Sequence, residues 1–307
     1  MKLLVTSKSF GKLSDEPLRR LREAGFEVTL NDKGRLLSEE EMCEAIQGKD
    51  AVILGTEVFN RHVIDQADQL KVVSRYGVGL DKIDVDYLKE KGIELRIAKY
   101  ANTNSVADHT VGLMLSLCHN ITVSDANIRR HEWRKPVAKD LYHSTVGILG
   151  LGAIGKAVAR RLRGFDCTIL AYDAFYDEEI MKELNIQKAS IEEILKQADF
   201  ITLHLPALPE FTPLLDKETF AMMKQGAVIV NTARAKLIDP VALYEALDKG
   251  RLYGYASDVH FVEPGFDEVL ITNEHTVLTP HIAASSAGAI QRMSDIAVDN
   301  VLEYFRR

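Results

Sequence analysis

The chain has 307 residues, 46% of them hydrophobic and 27% charged, with a formal net charge of −7. That length accommodates two domains with proper cores, and the acidic balance argues against nucleic-acid or membrane partners, which need a concentrated basic face. Cys43, Cys118 and Cys167 sit among apolar neighbours without metal-ligand spacing, as in a reduced cytoplasmic protein, so no metal site is expected; no apolar run approaches membrane-spanning length.

Residues 1 to about 100 alternate strand-like and helix-like segments, the pattern of a parallel sheet. Residues 3–6 read as a first strand, with an apolar run too short for a signal peptide. Residues 15–24 read as a helix, with Ser14 as N-cap and Gly25 as its stop. Ser38 and Glu41 have capping-box spacing ahead of Met42 and Ile46. Residues 51–54 and 70–74 are further strands, 87–91 end a helix at Gly92, and 93–97 return as a strand.

The stretch Arg75-Tyr76-Gly77-Val78-Gly79-Leu80-Asp81 follows one of these strands, where open parallel sheets bind ligands. Its backbone N–H groups, around Val78 and Gly79, can meet a carboxylate to which Arg75 adds charge. A tight turn with a solvated arginine is the plainer alternative. Residues 98–104 make a domain crossing. Residues 104–130 read as one long apolar helix, capped by Asn104 or Ser105, whose burial between domains or at a subunit interface predicts a homodimer. An arm, 131–144, carries Trp133 and Arg134.

Residues 145–155, TVGILGLGAIG, then read as an apolar strand, a glycine turn and the start of a helix. Gly150, Gly152 and Gly155 have the G-x-G-x-x-G spacing that admits a tight turn, a pyrophosphate and close helix packing. The phosphates would rest on the helix N-terminus at Ala153 and Ile154. A second strand, 167–172, ends at Asp173, 18 residues beyond Gly155, where a carboxylate meets ribose hydroxyls. No basic residue stands between Asp173 and Tyr176, so NAD is favoured over NADP. Ser190 and Glu193 repeat the capping box. Further strands deliver His204-Leu205-Pro206, Asn231-Thr232-Ala233-Arg234, Asp258-Val259-His260 with Glu263-Pro264 beyond, and Thr279-Pro280-His281. Residues 285–307 close the chain as a helix.

In this order the motifs resemble the D-isomer-specific 2-hydroxyacid dehydrogenases, and among them the short 3-phosphoglycerate dehydrogenases that lack a regulatory tail. The resemblance implies an α/β chain of two domains, each a parallel sheet with helices on both faces. Residues 1–100, completed by 284–307, would form a flavodoxin-like substrate domain, and 101–283 a Rossmann-type NAD domain. It implies reversible hydride transfer between NAD(H) and a D-2-hydroxy acid. His281 would be the proton donor and acceptor, Glu263 its tautomer-fixing partner, and Arg234 the fork that holds the substrate carboxylate and polarises its carbonyl. It further implies that Asp258 meets the nicotinamide carboxamide, that His204, Pro206, Thr232 and Ala233 line the cofactor pocket, and that Arg134 reaches a substrate phosphate from the partner subunit. With Arg75 and Arg134 as extra cations, 3-phosphohydroxypyruvate stands ahead of glyoxylate, hydroxypyruvate or pyruvate, which would place the chain in serine biosynthesis.

The chain departs from the family pattern at Ala235-Lys236 after Arg234, at Ala107-Asp108-His109, and at His260-Phe261-Val262 before Glu263. A non-enzymatic NAD-sensing scaffold like the C-terminal-binding protein corepressors is the alternative of another class. The compact chain without long disordered tails favours the enzyme. A formate dehydrogenase is disfavoured, because that reaction needs no proton relay.

Overall fold

Residues 1–306 are described by the structure, a computed structural model. The chain divides into two compact units, one comprising Met1–Asn102 and the chain from Ser285 onward, the other Thr103–Ala284.

The first unit is built on strands β1 (Lys2–Val5), β2 (Glu27–Leu30), β3 (Ala51–Leu54), β4 (Val72–Arg75) and β5 (Glu94–Ile97). All pair in parallel, in the flavodoxin-like order β2-β1-β3-β4-β5. The central strand β3 is apolar at all four positions and buried throughout, as a strand covered on both faces must be. The closing helix, Ala287–Phe305, packs within this unit: Ser74 Oγ donates to the Ala297 carbonyl at 3.0 Å, and the Tyr76 hydroxyl to that of Ile290 at 3.0 Å. Arg307, the last residue of the predicted helix, lies outside the described residues.

The second unit carries β6 (Thr145–Leu149), β7 (Thr168–Tyr172), β8 (Ile186–Lys188), β9 (Phe200–Leu203), β10 (Ala227–Asn231), β11 (Leu252–Ser257) and β12 (Thr276–Leu278). Their order, β12-β11-β10-β9-β6-β7-β8, is again wholly parallel. It reverses direction between β6 and β9, the place where a doubly wound sheet opens a crevice. Alternation fills both faces: Val228 and Val230 enter one core with Val146 and Ile148, while Ala227 and Ile229 enter the other with Leu149 and Ile201.

Both predicted capping boxes form, Ser38 with Glu41 and Ser190 with Glu193. The first helix runs Glu16–Glu23 with Asp15 at its N-cap; Ser14 Oγ instead accepts from the Glu16 N–H at 3.1 Å.

The predicted long helix is two helices, Thr103–Cys118 and Ile121–Arg129. Asn104 and Ser105 lie inside the first rather than capping it. The break falls at Asn120, in the left-handed region at φ 53°, where its side-chain amide donates to the Val137 carbonyl and the Tyr253 hydroxyl. The first helix buries its apolar face in its own unit, with Val111, Met114 and Leu117 packed in the core that holds Val146 and Val228. Its hydrophobicity therefore needs no partner subunit. Within residues 103–144, the large apolar side chains that stay in solvent belong to the second helix and the arm: Ile121, Ile128, Trp133, Val137 and Tyr142.

Candidate active site

The glycine turn lies at the reversal point of the second unit's sheet. Gly150 has φ +105°, and a Cβ there would stand 2.6 Å from the His204 backbone, so the turns after β6 and β9 touch. At Gly155 a Cβ would stand 2.0 Å from the Gly150 carbonyl oxygen, closer than any side chain allows. Gly152 differs, since a Cβ there meets nothing within 4 Å. It is also the N-cap of the helix Ala153–Leu162, and no side chain caps that end. The first-turn N–H groups, those of Ala153 and Ile154 among them, thus have no side-chain cap beside a turn kept bare, a cradle fit for an anionic pyrophosphate.

Asp173, just past β7, accepts the Leu151 N–H at 2.6 Å and the Phe175 N–H at 3.0 Å. It braces the glycine turn, and each carboxylate oxygen keeps acceptor capacity for ribose hydroxyls. His204 sits past β9 with Nε2 3.0 Å from Thr202 Oγ1; burial pushes its pKa down to about 3, so the ring is neutral. Pro206 follows it in the same turn, after the strand has ended. These residues fit a dinucleotide.

The neighbouring strand ends carry the polar cluster. At the end of β10, the buried Asn231 shapes the turn that follows: its Oδ1 accepts the Ala233 N–H at 2.9 Å and its Nδ2 donates to the Arg234 carbonyl at 2.9 Å. Thr232 Oγ1 lies 2.9 Å from Thr110 Oγ1 of the first long helix. Arg234 Nη1 donates to the Ala233 carbonyl at 2.7 Å.

Past β12, His281 adopts φ 55° and sets Nδ1 2.8 Å from Glu263 Oε2. The hydrogen bond to Glu263 raises the His281 pKa against partial burial and the nearby Arg234. Partial burial alone would raise the pKa of Glu263, but the hydrogen bonds from His281 and the His260 N–H hold it below the usual range. The pair therefore favours imidazolium beside carboxylate, with Nε2 left to carry the proton.

Asp258 is buried, and its carboxylate clasps the turn that bears His281. Oδ1 accepts from Thr279 Oγ1 at 2.7 Å and the Ile282 N–H at 2.8 Å, and Oδ2 from the Ala283 N–H at 2.7 Å. Burial would raise its pKa, but His109, Thr279 and those two N–H groups lower it further. Asp258 shapes this turn directly.

Two residues of this cluster were not singled out as functional from the sequence. His109 Nε2 lies 2.9 Å from Thr279 Oγ1 and 3.5 Å from Asp258 Oδ1. His260 Nε2 lies 2.9 Å from the Thr279 carbonyl. The sequence marks His109 only as a departure from the family pattern, and His260 as such a departure and as a strand-end residue without a role.

In the first unit, Arg75 is buried rather than solvated, at 9% exposure. Its Nε donates to the Gly79 carbonyl at 2.8 Å, and Nη1 to those of Tyr76 at 2.7 Å and Leu54 at 3.3 Å. It builds the glycine loop that exposes Val78 and leaves Gly79 half-buried. In the second unit, Arg134 is exposed on the arm and pairs with Glu132 at 2.8 Å. Among the described residues no cluster of His, Cys, Asp or Glu could hold a metal, and no helix is long and apolar enough to cross a membrane.

The fold and its glycine turn fit a dinucleotide-binding chain. Residues 111–283 match the family model described as D-isomer specific 2-hydroxyacid dehydrogenase, NAD binding domain. The D-3-phosphoglycerate dehydrogenase of Methanocaldococcus jannaschii is 38% identical over 100% of this chain and 58% of its own length. That of Bacillus subtilis is 35% identical over 95% and 55%. The glyoxylate reductase of Pyrococcus furiosus is 34% identical over 92% of this chain and 88% of the relative. Among solved structures, the TT0316 protein of Thermus thermophilus matches at TM-score 0.90 with 34% identity, over 98% of this chain and 96% of that one. The apo D-lactate dehydrogenase of Escherichia coli matches at TM-score 0.87 with 28% identity, over 100% and 97%. The chain belongs to the D-isomer specific 2-hydroxyacid dehydrogenase family. It spans a little over half the length of the D-3-phosphoglycerate dehydrogenases just named.

Proposed function

We propose that the chain interconverts a D-2-hydroxy acid and its 2-oxo acid with NAD(H), and that Arg234, Glu263 and His281 carry the chemistry. The observation that carries this reading is the 2.8 Å contact between His281 and Glu263, past the ends of a sheet whose glycine turn fits a dinucleotide. The nicotinamide of a dinucleotide held by the glycine turn would supply the hydride for the substrate's carbonyl carbon. In that direction His281 Nε2 gives its proton to the carbonyl oxygen, so the C=O becomes a CH–OH and the imidazole is left neutral. Glu263 keeps the remaining ring proton on Nδ1, and Arg234 holds the carboxylate and polarises the carbonyl. Oxidation reverses each transfer.

The substrate pair is 3-phosphohydroxypyruvate and 3-phosphoglycerate. The relatives that bear that name support this reading, as does the exposed Arg134; Lys236, a departure from the family pattern, stands against it. A second reading, reduction of glyoxylate or hydroxypyruvate, is favoured by Arg75, whose Nε and Nη1 are engaged by backbone carbonyls. NADH oxidation with a panel of 2-oxo acids tests both. A higher kcat/KM for phosphohydroxypyruvate than for hydroxypyruvate, lowered in Arg134→Ala, fits the first; equal values leave the second; no turnover with any 2-oxo acid refutes the dehydrogenase.

The exposed Ile121, Ile128, Trp133, Val137 and Tyr142 support a homodimer formed through the helix Ile121–Arg129 and the arm. A monomer by light scattering at micromolar concentration would contradict that. Three free cysteines fit a cytoplasmic setting.

A further inference from the structure

We propose that His260 is a positioning residue that fixes the His281–Glu263 pair by tying together the two turns that carry it; this rests on the catalytic roles given above. His260 bonds to both turns at once. Its backbone N–H donates to Glu263 Oε1 at 2.7 Å, which leaves Oε2 for His281 Nδ1 at 2.8 Å. Its ring nitrogen Nε2 lies 2.9 Å from the Thr279 carbonyl oxygen. A carbonyl only accepts, so this geometry fixes the His260 tautomer with its proton on Nε2. The same carbonyl accepts the His281 N–H at 2.9 Å.

One carbonyl thus receives both the ring that braces the Glu263 turn and the backbone of His281 itself. His281 needs such bracing. It is a non-glycine residue at φ 55°, a conformation that persists only where the surroundings over-determine it. Asp258 grips the turn on either side, through Thr279 and through the Ile282 and Ala283 N–H groups, but makes no hydrogen bond to Glu263. His260 bonds to both. The titratable and charged groups acting on His281 are Glu263, Asp258 and Arg234, and those acting on Glu263 are His281 and His260.

A ring without a donor separates this role from mere filling of space. His260→Phe keeps the aromatic volume and the backbone N–H but loses the bond to Thr279. It should lower kcat by about 10- to 100-fold, the scale of a small misplacement of a reacting group. KM for NADH should hold, and the high-pH limb of the reduction profile should move to lower pH. His260→Gln, whose Nε2 can reach the same carbonyl, should recover most of both. In the protein without cofactor, the imidazole ¹³C titration of His281 should shift downward in His260→Phe and return in His260→Gln. If wild type turns over and His281→Asn does not, yet His260→Phe leaves kcat, the pH limb and the titration unchanged, His260 has no positioning role. If wild type reduces no 2-oxo acid, the catalytic reading itself fails; the titration still reports whether His260 sets the pair.

Discussion

Two turns of the second unit achieve order by opposite means. The turn at 150–155 is closed by bare backbone, with one side chain, Asp173, bracing it at the Leu151 N–H: Gly155 lies so close to the Gly150 carbonyl that a Cβ would stand 2.0 Å from it. The turn at 279–283 is held by side chains reaching in from elsewhere, with Asp258, His260 and His109 all bonded around Thr279. The first is written locally, in glycine spacing. The second is assembled from distant strand ends, and its central residue, His281, accepts a backbone conformation that glycine would adopt freely. A glycine turn serves where a ligand must approach bare backbone; a side-chain clasp serves where an imidazole must be aimed.

Substitution at the glycines gives the largest expected effect. Gly155→Ala should cost about 3 kcal/mol or more, because backbone rather than a flexible side-chain end stands in the way. Thermal or urea unfolding checks this. Gly152→Ala should unfold like the wild type, since its added methyl meets nothing within 4 Å. It should instead weaken NADH binding in a fluorescence titration. Equal stability losses in the two variants would erase the distinction between packing and cradle.

At the clasped turn, His281→Asn should lower turnover by roughly 10²–10⁴-fold, the usual worth of a positioned acid or base. NADH affinity should barely change, because the glycine turn stays intact. Comparable loss in both measurements would mean that the two turns are not separable. A smaller effect is expected from Asp173→Ala. It should narrow the preference for NADH over NADPH chiefly by weakening NADH, through lost ribose acceptors and a turn no longer braced at Leu151.

The same contrast explains what could be read in advance. The buried strands were legible because runs such as Ala51–Leu54 and Ala227–Asn231 leave little else for the chain to do. Both capping boxes were legible because their partners are three residues apart. The break at Asn120 was not, since its amide is satisfied by Val137 and Tyr253, far along the chain. His260 meets Thr279 across 19 residues and His109 meets it across 170, so neither role has a local signature. Arg75 shows the converse. Its place beside two glycines at a strand end suggested an anion site, yet three of its hydrogen bonds go to the carbonyls of Leu54, Tyr76 and Gly79.

The central claim is that Glu263 keeps His281 protonated for delivery to the substrate oxygen. Its most direct test is the pH dependence of 2-oxo acid reduction in wild type and Glu263→Gln at saturating NADH. Imidazolium is the donor, so the rate falls as pH rises through the His281 pKa. Glu263 raises that pKa, so the neutral amide should lower it and move the falling limb to lower pH. The pair's contribution to stability should change in step. The His281 share is full below about pH 6.5, the unfolded value, and is lost as pH rises through the raised pKa. The Glu263 share is present above about 4.3 and lost as pH falls through its lowered pKa. A limb at lower pH in Glu263→Gln, with NADH binding unaltered, is the predicted result; a limb that stays in place would contradict the account.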